Sequence, residues 1–196
     1  GRFDDAERRY AEACAQMARH GSLHAEGIAT LATVTIRASQ RRLAEFAPAV
    51  QALEARFGPL AADAGAAALA AAGRLEEARA VLAGAPPLRP DFYFTVFATL
   101  RATAVVAVGE RERAEELHAA LLPVRDQLAG AASTSLAMRP VGHTLGELAR
   151  LLGRQAAAVE HFAEAAEVAR AWDARHWEAA ASAEATAVRA ESAQNR

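Results

Sequence analysis

Residues 140–177 decide the fold, and they read PVGHTLGELARLLGRQAAAVEHFAEAAEVARAWDARHW. Hydrophobic residues recur there at helical spacing, so the pattern predicts helices over 141–152 and 155–171. Gly153 separates the two, because a glycine ends a helix at the least conformational cost. A third helix begins after the linker 172–175. Apolar helices joined by short turns predict a hairpin unit that buries its faces against copies of itself.

The same glycine recurs along the chain, and an alanine follows it at a fixed spacing. The four segments GRFDDA, GRLEEA, GERERA and GRQAAA begin at Gly1, Gly73, Gly109 and Gly153. The aligned alanines are Ala6, Ala78, Ala114 and Ala158. A small side chain at a repeated position predicts that two helices approach closely there. The first spacing is twice the second, which predicts a degenerate copy with Leu43 in the alanine position.

The remaining periodicity predicts an all-α chain of about ten helices. The predicted helices cover residues 3–19, 23–38, 41–56, 60–72, 75–82, 92–108, 111–128, 141–152, 155–171 and 175–191. Pro48 and Pro123 are expected to kink or split the helices that contain them, and Asp91 is expected to cap the helix that follows it. No alternating run bounded by turns indicates a strand.

We therefore expect one domain over residues 1–196, a right-handed superhelix of antiparallel helical hairpins. Its predicted parts are degenerate repeats (1–57), middle repeats (58–129), an insert (130–139) and a best-formed C-terminal repeat with a capping helix (140–192). The chain opens in what reads as the middle of a repeat, so we expect a fragment of a larger protein.

Composition limits the classes of function. The net charge is −2, and all 22 basic residues are arginine, which gives no field that would attract nucleic acid or a membrane surface. No hydrophobic run reaches the roughly 18 residues of a membrane span. The lone Cys14 excludes an internal disulfide and suits a cytoplasmic protein. Abundant alanine with no lysine is typical of high-GC bacterial genomes such as those of actinobacteria.

No motif predicts an enzyme. The metalloprotease pattern HExxH, the CxxC pattern, the phosphate-binding loop GxxxxGK[ST] and GxGxxG are all absent from the sequence. His20 and His24 have metal-ligand spacing, but Gly21 between them is expected to break the helix. Ser133 and Ser135 read as loop serines rather than nucleophiles. We expect no cofactor and no metal.

The unit at 140–177 resembles the tetratricopeptide repeat. The residues that carry the resemblance are Leu145, Gly146 and Leu148 on its first helix, and Ala158, Phe162 and Ala165 on its second. The proline that usually closes such a repeat is absent, and the linker 172–175 replaces it. The resemblance implies that the first helix of each hairpin lines the inner wall of a curved array.

Residues 113–187 resemble more closely the C-terminal helical region of bacterial ATPase regulators of the AfsR/MalT/LuxR type. The matching residues are Leu122-Pro123, Pro140-Val141, His143, Leu145-Gly146, Leu148-Ala149, Leu152-Gly153-Arg154, His161-Phe162, Ala174-Arg175 and Trp177. The resemblance implies an interaction and sensor scaffold of a signal-transduction or transcriptional regulator. A protein or peptide partner, a small-molecule effector or another domain of the same polypeptide would bind its concave surface. The alternative is a stand-alone module for a small anionic ligand or peptide.

Seven residues are predicted to face that groove. They are Arg37, Tyr93, Arg101, Arg139, His143, Glu147 and Arg150. An inner wall of arginines suits an acidic peptide or an anionic ligand. The competing interpretation, with at least equal weight, is that these arginines pair with neighbouring glutamates. Direct nucleic-acid binding is not expected, because the arginines in the run ERERAEE (110–116) alternate with glutamates.

Overall fold

The computed structural model describes residues 2–194, and these are almost entirely helical. The α-helices are α1 (Phe3–Arg19), α2 (Ala25–Ser39), α3 (Val50–Phe57), α4 (Ala62–Ala71), α5 (Leu75–Ala83), α6 (Phe94–Val108), α7 (Arg111–Leu121), α8 (Val141–Leu151), α9 (Gln155–Ala171) and α10 (Arg175–Gln194). Short 3-10 segments lie at Leu43–Ala49, Gly58–Ala61, Leu122–Val124 and Ala131–Ser133. The described residues contain no strand, so the all-α class is confirmed. None of their helices has the length and hydrophobicity to cross a membrane.

The two internal prolines have different outcomes. Pro48 lies in the 3-10 segment Leu43–Ala49, and the chain then returns to helix as α3, so the predicted split is confirmed. Pro123 lies in a 3-10 turn at the end of α7, and no α-helix follows it before α8. The predicted continuation of this helix to residue 128 is wrong, because the chain turns away to pair with a later segment.

That pairing closes the insert at 130–139. Leu128 and Pro140 form an isolated antiparallel bridge, and the Met138 N–H donates to the Ala129 carbonyl at 2.7 Å. Met138 is buried, and Gly130 takes a left-handed φ of +87° while its N–H donates to the Thr95 hydroxyl at 2.8 Å. The insert is therefore anchored in the core through Leu136 and Met138, while Ala132, Thr134 and Ala137 remain exposed.

The glycine turns follow the sequence pattern. Gly73, Gly109 and Gly153 have φ of +75°, +77° and +80°. The residue after Gly153 donates its N–H back to the Ala149 carbonyl at 2.8 Å, the bond that satisfies a helix C-terminus after a left-handed residue. The aligned alanines at 78, 114 and 158 are fully buried. Gly1, which opens the first predicted copy, lies outside the described residues.

Helices pack mainly on their neighbours in sequence. From α4 to α10 each helix contacts the next, and α4 with α6 and α6 with α8 also pack together. One hydrophobic core extends from Val34 on α2 to Leu148 on α8. A second cluster joins Ala149, Phe162 and Val188 on α8, α9 and α10. Packing is therefore mainly between helices that are close in sequence.

Helices α8 and α9 pack so closely that glycine is required between them. A Cβ added at Gly146 would lie 2.7 Å from the Phe162 ring, and one at Gly142 would lie 3.0 Å from the His161 carbonyl oxygen. Phe162 is fully buried and fills the space that Gly146 leaves. The small residue Gly146 and the large residue Phe162, which belong to the sequence pattern of residues 140–177, therefore pack against each other in the core.

Helix α1 connects distant parts of the chain. The Tyr10 hydroxyl donates to the Ser135 carbonyl in the insert at 2.6 Å. The Phe3 ring meets the His176 ring at the start of α10, edge to face, with 5.4 Å between centroids. Cys14 is the one fully buried residue of α1, and the helix packs mainly against α2.

Candidate functional site

A concave surface with a volume of about 820 Å³ lies beside α2, and we call it the apolar groove. Three parts of the chain form it: the end of α1 with α2, the junction of α3 with α4, and residues 86–101. Its lining residues are Met17, Leu23, His24, Gly27, Ile28, Thr30, Leu31, Val34, Leu53, Phe57, Pro59, Leu60, Ala61, Asp63, Ala64, Pro86, Pro87, Leu88, Arg89, Asp91, Phe92, Tyr93, Phe97 and Arg101. Most of these side chains are hydrophobic.

The edge of the groove carries three large hydrophobic side chains exposed to solvent, which we call the rim. Leu23 is 95% exposed, and Leu60 and Phe92 are each 57% exposed. Leu60 lies in the 3-10 segment Gly58–Ala61, which begins at Gly58 with a φ of +58° and continues through Pro59. Exposed hydrophobic side chains grouped around one concavity mark interaction surfaces.

A buried ion pair forms part of the groove wall. The Arg101 Nε and Nη2 atoms donate to the two Asp63 carboxylate oxygens at 2.6 and 3.1 Å, and Nη2 also donates to the Pro86 carbonyl at 2.7 Å. The side chains are 7% and 13% exposed for Asp63 and Arg101. Burial raises the pKa of Asp63 even with Arg101 beside it. The pair ties α4, α6 and the segment after α5 together.

Two of the seven predicted groove residues lie on this groove, Arg101 and Tyr93. The Tyr93 ring stands 4.6 Å from Phe92 and 6.3 Å from Phe97, centroid to centroid, so it belongs to an aromatic cluster at the start of α6. The Asp91 carboxylate accepts the Tyr93 N–H at 2.9 Å. Asp91 thus orders the turn before α6, whereas the sequence placed it as the cap of a helix beginning at residue 92.

Arg37 lies apart from the apolar groove. It bonds Glu7 on α1 and donates to the Gln40 side chain at 2.8 Å, and its Nε stands 3.4 Å from Glu45. Its side chain is 17% exposed. These contacts hold α1 and the 3-10 segment Leu43–Ala49 against α2.

Arg139, His143 and Glu147 come together at the start of α8. The two terminal guanidinium nitrogens of Arg139 donate to the Glu147 carboxylate, Nη1 at 2.7 Å, and the His143 Nε2 is 3.6 Å from the same carboxylate. Burial opposes ionisation of Glu147, but the Arg139 charge and its contact with His143 outweigh it and lower the pKa from 4.5 to about 2. His143 is 5% exposed and meets the Phe162 ring edge to face, whereas the side chains of Arg139 and Glu147 are 21% and 27% exposed, so the cluster is buried at one end and partly open at the other.

Arg150 does not join that cluster. It bonds Glu191 and stands 3.3 Å from Glu184, both on α10. The four arginines predicted for the groove therefore each contact a carboxylate. Three of these carboxylates are glutamates, as the competing interpretation expected, whereas the partner of Arg101 is Asp63.

Sequence reasoning missed a histidine pair between α7 and α9. The Nε2 atoms of His118 and His161 are 3.3 Å apart, within reach of one hydrogen bond whose direction depends on the tautomers. Burial lowers the pKa of His118, and the nearby His161 lowers it further. His161 also has Glu164 at 3.7 Å from its Nδ1. Among residues 2–194, no group of three or more metal-binding side chains is assembled.

The predicted loop serines make local bonds. The Ser133 hydroxyl donates to the Gly130 carbonyl at 2.7 Å and accepts the N–H of Leu136 at 3.2 Å. The hydroxyl of Ser133 thus stabilises the turn of the insert.

In comparisons with known proteins, no family model, curated protein or solved structure matches the chain.

Proposed function

We propose that this chain is a tetratricopeptide-like, right-handed helical array that serves as an interaction and sensor scaffold of a bacterial signal-transduction or transcriptional regulator. A partner protein, an effector or a neighbouring domain of the same polypeptide binds in the apolar groove. The observation that carries the proposal is the groove itself, a concavity of about 820 Å³ edged by exposed Leu23, Leu60 and Phe92. Covering such side chains gains roughly 1.5–3 kcal/mol each when burial is complete.

The mechanism follows from the way the array packs. The α1–α2 pair forms one side of the groove, and α4 with the start of α6 forms another. A partner that contacts both sides favours whichever arrangement of the hairpins fits it. Binding then shifts the equilibrium between the two states of an attached switch, and only by as much as the partner's affinities for those two states differ.

A second candidate function is a stand-alone module for a small ligand or peptide. The groove volume lies within the range of about 300–1,000 Å³ that small-molecule sites occupy. The ion pair of Asp63 with Arg101 would supply the polar contact of such a site. The exposed rim favours the interaction scaffold, because a ligand confined to the cavity leaves Leu23 in water.

Photo-crosslinking in bacterial cells that naturally produce the protein tests the proposal. A benzophenone amino acid replaces Phe92 on the rim, and a matched control replaces Trp172, which is 62% exposed and does not line the groove. We expect a discrete protein adduct, or a crosslink to another domain of the same polypeptide, from position 92 alone. Identical adducts from both positions, or none from position 92, would contradict the proposal.

A further inference from the structure

We infer that the apolar groove takes an amphipathic α-helix whose docking face is hydrophobic and uncharged. This inference rests on the proposed function and specifies the partner that the groove admits. Three observations carry it: the size of the rim, the balance of charge in the lining, and the helical walls on α2, α4 and α6, which offer few free backbone groups.

The rim requires a partner larger than the cavity. Leu23, Leu60 and Phe92 stand at the edge of the groove with more than half of each residue exposed. A small molecule that fills the cavity leaves these side chains in water. A polypeptide lying across the opening covers them and fills the cavity with its own side chains.

The charges of the lining are already paired. Asp63 lies against Arg101 at 2.6 Å, and Asp91 lies 3.2 Å from Arg89. Two carboxylates and two guanidinium groups leave no net charge for an ionic side chain to neutralise. A charged group entering here loses its hydration and competes with an existing pair, so the face that docks is uncharged.

Backbone chemistry selects a helix over an extended segment. Helices α2, α4 and α6 form much of the groove wall, and their backbone groups bond within each helix. The segment 86–93 between α5 and α6 is not helical, but Pro86 and Pro87 within it have no N–H to donate. The Pro86 carbonyl already accepts a bond from Arg101. An extended peptide would bury N–H and C=O groups without partners, whereas a helix satisfies its own. Hydrophobic side chains at positions i, i+3 or i+4, and i+7 then form the docking face.

Selection from a library of random 16-residue peptides displayed on phage tests the inference. The target is the full chain, and the counter-target is its Leu60→Asp variant, which places a charge on the rim. We expect the peptides that prefer the wild-type chain to share an apolar stripe at helical spacing, free of charged residues and internal proline. A synthetic copy should gain helicity on binding and lose about tenfold or more in affinity with Leu60→Ala.

Two further variants keep the test decisive. Phe92→Ser changes the rim at a second place, so a folding defect of one variant does not remove the test, and thermal melting checks both. Trp172→Asp alters an exposed aromatic outside the groove and should leave the selected peptides unchanged. Enrichment of acidic, proline-rich or alternating sequences would overturn the inference, and so would peptides that bind the rim variants as well as the wild type.

The failures of the two proposals are distinguishable. Photo-crosslinking from Phe92 captures a partner in any conformation. A partner joined through an extended or acidic segment overturns the helix inference and leaves the interaction scaffold standing. Helical peptides selected on the groove, with no crosslinked partner in cells, support the helix preference and count against the scaffold.

Discussion

Glu147→Gln is expected to remove a charge that fastens the insert to α8. The carboxylate accepts two bonds from Arg139 and has His143 3.6 Å away. Its pKa falls from 4.5 to about 2, and each pKa unit corresponds to about 1.4 kcal/mol. The ionised carboxylate therefore stabilises the fold by at most about 3 kcal/mol at neutral pH.

The sign of this contribution fixes its pH dependence. Because the folded protein holds the Glu147 pKa below that of the unfolded chain, the stabilisation is present above pH 4.5 and disappears as the pH falls towards 2. Urea unfolding followed by circular dichroism should show a difference between wild type and Glu147→Gln of about 2–3 kcal/mol at about pH 7. The same difference should fall by more than half at about pH 3.

A matched control is Glu115→Gln. Glu115 pairs with Arg154 at 2.8 Å, but both side chains are about half exposed. Its loss should cost about 0.5 kcal/mol or less. A Glu147→Gln effect that stays constant between neutral and acidic pH, or that equals the Glu115→Gln effect, would refute the account of Glu147.

Two other predictions follow from packing and protonation. Gly146→Ala should lower the free energy of unfolding by up to about 2 kcal/mol, because the added Cβ would lie 2.7 Å from the Phe162 ring and overpack the core. The higher helix propensity of alanine offsets only part of this cost. Gly27→Ala is the control and should raise the free energy of unfolding, because the nearest neighbour of its added Cβ is 3.9 Å away. Burial and His161 lower the pKa of His118 below 6.5, so stability is full above that pH and declines below it. His118→Gln should flatten the decline in thermal stability between about pH 7 and about pH 5, and an unchanged slope would contradict this account.

The parts of the fold that local chemistry decides could be predicted from the sequence. Gly153 ends α8 because a left-handed residue is needed there, and no distant contact is required to see it. Pro48 and Pro123 show the limit. Each breaks its helix, yet only Pro48 is followed by more of the same helix, since Leu128 beyond Pro123 pairs with Pro140. That pairing is nonlocal, so helical periodicity carries no sign of it.

The candidate site could be predicted only in part, for a similar reason. Tyr93 and Arg101, which line the apolar groove, were predicted from the resemblance to the tetratricopeptide repeat, which implies that first helices form an inner wall. Asp63 was missed although it is the single charged residue in the apolar stretch 60–72, and an isolated carboxylate in such a run indicates a distant cationic partner. Leu60 was missed because an exposed leucine reads like a core leucine in sequence.

The pairing of the arginines bears directly on which partner the array suits. An acidic peptide that recruits Arg101 must compete with Asp63, and removing one partner from a buried pair costs about 3–5 kcal/mol. A new ion pair near the surface returns only about 0–1 kcal/mol. Hydrophobic contact with Leu23, Leu60 and Phe92 gains burial and breaks no existing bond. On these magnitudes the groove favours an apolar partner over an anionic one, even though arginine is the basic residue throughout the chain.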